Sequence, residues 1–323
     1  MRYAVTGATG FVGNALARRL RADGHEVVAA VRTPAKAADL AALGIEVVAA
    51  DVSDTAALTR AFTGCDGVFH VAGWYKVGDR DPAEAWRVNV EGTKHVLAAA
   101  TAAAVPRLVY TSTCAVNSDT DGRTVDETYT FQGRHRTTYD ETKARAHDYV
   151  VEYAATHESP QIVIVMPGGI YGPGDTSQIG QLLADVAAGK RVVVASSLRM
   201  VQAHVDDIAD GHVRAMASGR PGEAYMLAGE RTDLRSMATE MAALTGGHAP
   251  IDMPRPVLVG TERVMGLVGK VLPVPAQFSA EAMRSSQSSY LGSPAKAQRE
   301  LGWTFRSLHE GLQDTAAAEG WLR

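Results

Sequence analysis

The chain has 323 residues, 46% hydrophobic and 21% charged, the balance of an ordinary globular protein with room for one large domain or two. Lys and Arg number 32 against 36 Asp and Glu, a net charge of −4 with no basic block, which argues against nucleic acid as a partner. Two distant cysteines, Cys65 and Cys114, make neither a disulfide framework nor a zinc knuckle, and no apolar run reaches the ~18 residues of a membrane span.

A strand reading begins at Tyr3–Thr6, with Arg2 at its edge; that leaves no room for a signal peptide, so a cytoplasmic protein is expected. A glycine-rich turn follows, then an apolar stripe at Val12, Leu16 and Leu20 that reads as a helix stopped by Gly24. Next come strand Glu26–Val31, a short helix Asp39–Leu43 ended by Gly44, and strand Ile45–Ala50. Asp54 reads as the N-cap of a helix over Thr55–Thr63. Strand Val68–Ala72 precedes one long helix, Pro82–Ala104, stopped at Val105-Pro106. Strands Leu108–Ser112 and Ile162–Met166 flank a helix carrying Tyr139 and Lys143. Six apolar strands separated by helices predict an α/β fold, a doubly wound parallel sheet covered on both faces.

After Met166 the texture changes. Pro167–Gly174 is a loop of turn formers, and prolines recur at Pro254, Pro256, Pro273 and Pro275. Asp206–Ala217 reads as helix, and Ala224–Ala228 as a strand returning to the main sheet. The expected division is a Rossmann-type nucleotide domain, residues 1–166 plus about 205–229, and a smaller discontinuous substrate-binding part, about 167–204 and 230–323.

The first turn reads Thr6-Gly-Ala-Thr-Gly-Phe-Val-Gly13. Gly7 permits the tight turn, Gly10 lets backbone approach a pyrophosphate, and Gly13 lets the helix pack on the sheet. Thr9, Phe11 and Val12 share this turn, whose N–H groups and positive helix end suit phosphates. Where an acidic residue would recognise ribose hydroxyls, the second strand ends in Val31-Arg32-Thr-Pro-Ala-Lys36. Arg32 can pair bidentately with a 2′-phosphate, with Lys36 as a weaker second cation, which points to NADP(H); the alternative is a solvated loop arginine. Asp51 at the end of the third strand can accept from an adenine amino group and Val52 can pack on the base, although Asp51 could equally be a helix cap.

Tyr139-Asp-Glu-Thr-Lys143 places a phenol and an ammonium on one helix face. The cation stabilises phenolate, so the tyrosine can exchange a proton with an alkoxide or alcohol. Strand five ends with three candidate hydroxyls, Thr111, Ser112 and Thr113, any of which could hold a substrate oxygen.

Together with His70-Val-Ala-Gly73, Asn89-Val-Glu-Gly-Thr93, His204-Val-Asp-Asp207 and Glu300-Leu-Gly-Trp303, these motifs make nearly the whole chain resemble an extended short-chain dehydrogenase/reductase. The resemblance implies that Thr113 orients the substrate and that Asn89 supports Lys143. It implies that Val71, Ala72 and Gly73 line the adenine-side ribose, that Thr111 borders the cofactor, and that Pro167, Gly168 and Ile170 close over the nicotinamide. Cys114-Ala115 stands where the family's dehydratases carry Asp-Glu, and Met166-Pro-Gly-Gly169 lacks the epimerases' amide. Val31-Arg32-x-Pro and Val68-Phe-His-Val-Ala-Gly73 are closer to the dihydroflavonol 4-reductase-like branch.

The expected activity is NADPH-dependent reduction of a ketone or aldehyde in a small-molecule substrate, with Tyr139 as proton donor. Trp74, Tyr75, Cys114, Asn117 and Tyr171 are the expected substrate wall beside Thr113. No metal-ligand spacing is present, and His204 reads as structural. A homodimer through Pro82–Ala104 and Tyr139–Thr156 is a further expectation of the resemblance. The competing readings are an NAD-dependent sugar-nucleotide epimerase, a 3β-hydroxysteroid-type alcohol dehydrogenase, and a non-catalytic NADP-sensing protein.

Overall fold

Along β1 (Arg2–Thr6), β2 (Glu26–Val31) and β4 (Gly67–His70), alternate residues are buried on opposite faces. Ala4, Val28, Ala30 and Val68 join one apolar cluster, whereas Val5, Val27, Ala29, Val31 and Phe69 join another. A strand apolar on both sides needs a layer of helices on each side. That is the arrangement in a computed structural model of the chain, which describes residues 1–75, 82–194, 199–253 and 288–322.

The sheet also holds β3 (Glu46–Ala49), β5 (Arg107–Thr111), β6 (Gln161–Pro167) and β10 (Ala224–Leu227). Its seven strands lie in the order β10-β6-β5-β4-β1-β2-β3, and every pairing is parallel. The order reverses direction between β1 and β4, the place where a crevice opens in a doubly wound sheet. Thr6 pairs with both Ala30 and His70, and His70 with Tyr110, so the carboxyl ends stand level around that crevice.

Helices α3 (Thr55–Phe62), α5 (Gly92–Ala102) and α6 (Thr138–Thr156) pack on the first cluster. On the second lie α1 (Phe11–Ala22) and α8 (Val205–Ser218). A third cluster joins Tyr171, Leu183, Met237, Met241 and Leu312, between α7 (Gln178–Ala187), α9 (Leu234–Thr245) and helix Leu308–Ala318. A smaller sheet orders β11 (Glu230–Asp233), β9 (Arg199–His204) and β13 (Ser289–Tyr290), with β7 (Gly169–Tyr171) also on β9.

Several boundaries differ from those expected. Val68–Ala72 leaves the ladder at His70, because the Ala72 N–H turns to the Thr6 hydroxyl at 3.3 Å. Pro82–Ala104 is not one uniform helix: α4 (Pro82–Ala85) leads into a π-helical stretch, Trp86–Glu91, before α5 begins. The wider turn carries Asn89 inward, where it is buried. Near the C-terminus, Ala297, Leu301 and Trp303 pack into the second cluster. The four late prolines lie outside the described residues.

Candidate active site

The carboxyl ends of the strands enclose a cavity of about 820 Å³ at the point where the strand order reverses. At one end stands the glycine turn. Gly7 has φ +71°, and a Cβ there would come within 2.7 Å of the Ala72 backbone. A Cβ on Gly13 would come within 2.2 Å of the Gly7 carbonyl, so each glycine is needed for a close approach. Gly10 is the N-cap of α1; no side chain caps that helix, and its first turn holds no acidic residue. Uncapped N–H groups at a positive helix end, opening into a cavity, suit a pyrophosphate. A dinucleotide cofactor fits the residues present.

Arg32, Asp51 and Val52 line the cavity, as do Val71, Ala72 and Gly73. Asp51 accepts from the Ser53 N–H at 2.9 Å and the Ser53 hydroxyl at 2.6 Å. Lys36 does not line the cavity; it lies exposed on the short 3₁₀ turn Pro34–Ala37. Two residues here went unnoticed in the sequence, Glu84 and Arg87. Their spacing of three is legible as a helical ion pair, but nothing local says that the pair faces β2 and β3.

The three hydroxyls after β5 separate by partner. Thr111 meets His212 Nε2 at 2.9 Å, and Ser112 meets His147 Nδ1 at 2.8 Å. Thr113 is the hydroxyl set beside the Tyr139 phenol, and it favours the ionised phenol. Its side chain accepts from the Ala115 N–H at 3.2 Å, which caps the 3₁₀ turn Cys114–Asn117. Tyr139 sits in the first turn of α6, whose N-cap Thr137 accepts from the Asp140 N–H at 3.0 Å. Burial pushes the Tyr139 phenol up to about 12, and the Thr113 hydroxyl draws it back.

Lys143 lies one helical turn beyond Tyr139 and is buried. Burial alone pushes it down to about 7. Its ammonium donates to the Thr111 carbonyl at 2.7 Å and to the Tyr110 hydroxyl at 3.4 Å. Among the described residues no hydrogen bond from Lys143 to Tyr139 is present, so the expected pairing takes the form of a shared helix face. Asn89 is held on three sides: its amide oxygen accepts from the Trp74 N–H at 2.7 Å, and its amide nitrogen donates to the Trp74 carbonyl and the Thr142 hydroxyl at 3.0 Å each. Asn89 therefore fixes the chain entering the cavity and the helix bearing Lys143.

At the opposite end Trp74, Tyr75 and Cys114 line the cavity, as do Pro167, Gly168 and Ile170. Two expected wall residues are corrected. Tyr171 is 1% exposed and turns into the third apolar cluster, edge-on to His204 at 5.7 Å. Asn117 is buried on the 3₁₀ turn and does not line the cavity. Met200, Ile179 and Tyr290 take their place. Tyr290 arrives from β13, more than a hundred residues beyond the catalytic helix, where local pattern carries no signal. Burial pushes the Cys114 thiol up to about 12, and it donates to the Met166 carbonyl, so it is an inert wall group. Among the described residues no group of side chains could hold a metal ion, and no helix is long and apolar enough to cross a membrane.

The chain is similar to known proteins over nearly its full length. A ketoreductase of Stigmatella aurantiaca, acting on 4-hydroxy-2-methyl-3-oxo-4-farnesyl-3,4-dihydroquinoline-1-oxide, is 32% identical over 99% of this chain and 97% of its own. A Synechocystis protein under a dihydroflavonol 4-reductase name is 30% identical, covering 97% of this chain and 92% of its own. The crystal structure of gox2253 superposes with TM-score 0.84 at 30% identity and 99% coverage of both chains. A Streptomyces venezuelae dTDP-glucose 4,6-dehydratase shares the fold with TM-score 0.81 at 22% identity, covering 100% of this chain and 99% of its own. A model of the NAD dependent epimerase/dehydratase family matches residues 3–228. With the glycine turn, the Thr113–Tyr139–Lys143 set and the doubly wound sheet in one place, the chain belongs to that family of nicotinamide-cofactor enzymes, among the extended short-chain dehydrogenases/reductases.

Proposed function

We propose that the protein is an NADPH-dependent reductase of ketone or aldehyde carbonyls in small apolar or aromatic molecules. The observation that carries this reading is the Thr113–Tyr139 pair opening onto a cavity end walled by Trp74, Tyr75, Met200 and Tyr290. The glycine turn would hold the cofactor's pyrophosphate, Arg32 its 2′-phosphate, and Lys143 its nicotinamide-side ribose. The bound nicotinamide supplies hydride.

Thr113 holds the carbonyl oxygen, and Tyr139 gives that oxygen its proton as alkoxide develops. Tyr139 then recovers a proton through the hydroxyl and ammonium groups around it. A phenol near 12 is a poor acid at neutral pH, so a cation on the same helix face is required to stabilise phenolate. Lys143 is the one that α6 supplies at that spacing. Apolar walls exclude water and favour a substrate with little charge.

A panel of aromatic and aliphatic ketones and aldehydes, followed by NADPH oxidation, tests the activity. Protein that purifies with NAD and epimerises a UDP-sugar without net redox would overturn it. For the cofactor, Arg32→Asp is expected to raise the Michaelis constant for NADPH about tenfold or more and leave that for NADH nearly unchanged.

A further inference from the structure

Arg32 does not stand alone at the proposed adenosine end. Its Nη1 lies 3.8 Å from Glu84 Oε1, and Glu84 in turn grips Arg87 through two bonds of 2.7 Å. Arg87 Nη1 continues to Asp51 Oδ1 at 3.4 Å. All four side chains line the cavity, and each is at least a quarter exposed, from 27% at Asp51 to 67% at Arg32. They make a rail of alternating sign that starts at the loop after β2, crosses α4 and the π-helical stretch, and ends at the loop after β3.

The charges on this rail sum to zero. A 2′-phosphate brings one and a half to two negative charges and needs guanidinium that is not already committed. Arg32 is only loosely paired at 3.8 Å, whereas Arg87 is forked onto Glu84. The Glu84 carboxylate, held low by its hydrogen bonds to Arg87, stays ionised at neutral pH beside the place Arg32 would put the phosphate.

We propose that Glu84 and Arg87 are the second determinant of cofactor choice: Arg87, by engaging Glu84, keeps Arg32 free for the 2′-phosphate, and Glu84 sets how much positive charge is free there. This rests on the NADP(H) reading of Arg32. Glu84 acts as a brake, opposing the phosphate and leaving a 2′-hydroxyl tolerable, so the wild-type preference for NADP(H) over NAD(H) is moderate rather than absolute.

Adenosine 2′,5′-bisphosphate and 5′-AMP differ only in the 2′-phosphate, so isothermal titration of the full chain with each isolates this contact. Wild type is expected to bind the bisphosphate more tightly. Glu84→Gln is expected to tighten the bisphosphate about three- to tenfold and leave 5′-AMP within about twofold. Arg87→Gln is expected to weaken the bisphosphate by a similar factor, and Arg87→Lys to fall between, since it keeps the charge and loses the fork. If wild type shows no preference but Glu84→Gln creates one, the NADP(H) reading fails while the role of Glu84 stands. If Glu84→Gln and Arg87→Gln leave the ratio of the two affinities unchanged, or move both ligands equally, the proposal is overturned whatever wild type prefers. The conservative lysine variant and a thermal melt of each protein separate lost contact from lost fold.

Discussion

In the proposed reaction a single hydroxyl carries much of the chemistry. Thr111 and Ser112 each spend theirs on a histidine, so Thr113 is the one that faces Tyr139. Thr113→Ser keeps the hydroxyl and should retain most of the turnover, whereas Thr113→Val should lose both substrate orientation and the group that draws the phenol down. Tyr139→Phe removes the proposed proton donor while leaving the glycine turn intact. Turnover should fall about 10²- to 10⁴-fold, the span of a lost general acid, with NADPH affinity within a few-fold of wild type. Steady-state kinetics beside fluorescence titration of NADPH makes the comparison, and an active phenylalanine variant would remove Tyr139 from the mechanism.

Asn89 belongs to the same scale but acts on structure. Asn89→Ala would strand the Trp74 N–H and carbonyl in a buried place and release Thr142. An unsatisfied buried group costs about 1–3 kcal/mol, so urea unfolding should show a loss of that size along with reduced turnover.

At the scale of elements, the parts of the molecule that follow from local chemistry were legible in the sequence. Asp54 caps α3 through the Ala57 N–H at 2.9 Å, as its position before Thr55 implies. Asp54→Ala should cost about 1 kcal/mol of stability in urea without touching the cavity. The six strands and the glycine turn were legible for the same reason: β-branched runs and close-approach glycines are local demands. The π-helical turn was not, because the partner that Asn89 reaches from within it, the Trp74 backbone, is supplied by tertiary packing and not by the helix's own pattern. Tyr171 misled because an aromatic beside a glycine loop fits a substrate wall and a core equally well. The partners that settle the matter, Leu183 and Leu312, lie far along the chain. Tyr290, Met200 and the Glu84–Arg87 rail were invisible for the same reason, being brought to the site by tertiary packing alone.

The whole molecule carries a group of buried and half-buried histidines that tie its elements to one another. His70 joins the Thr6 hydroxyl at 2.9 Å to the Thr93 hydroxyl at 3.1 Å, linking β1, β4 and α5. His147 links α6 to the end of β5 through Ser112, and His212 links α8 to β5 through Thr111. Burial pushes His70 down to about 3 and His147 and His212 down to about 4, with the Lys143 charge adding to the first two. Burial drives His135 and His204 the same way.

A histidine whose folded pKa lies below its unfolded value near 6.5 holds fewer protons in the folded state throughout the interval between the two. Stability from these groups is therefore complete above about pH 6.5 and is lost as pH falls toward about 4. Each proton taken up on unfolding adds up to about 1.4 kcal/mol per pH unit to that slope. Urea unfolding at fixed ionic strength between pH 7 and pH 5 stays above most carboxylate titration and reads the histidines. The midpoint should decline as pH falls from 7 to 5, with Lys143, pushed down to about 7, adding to the slope only at the upper end of the interval. His212→Gln keeps a hydrogen-bonding side chain near Thr111 but removes one titrating group, so it should flatten the decline even where it lowers the midpoint overall. A midpoint constant from pH 7 to pH 5, or a slope unchanged in His212→Gln, would show that these histidines are not kept neutral by the fold.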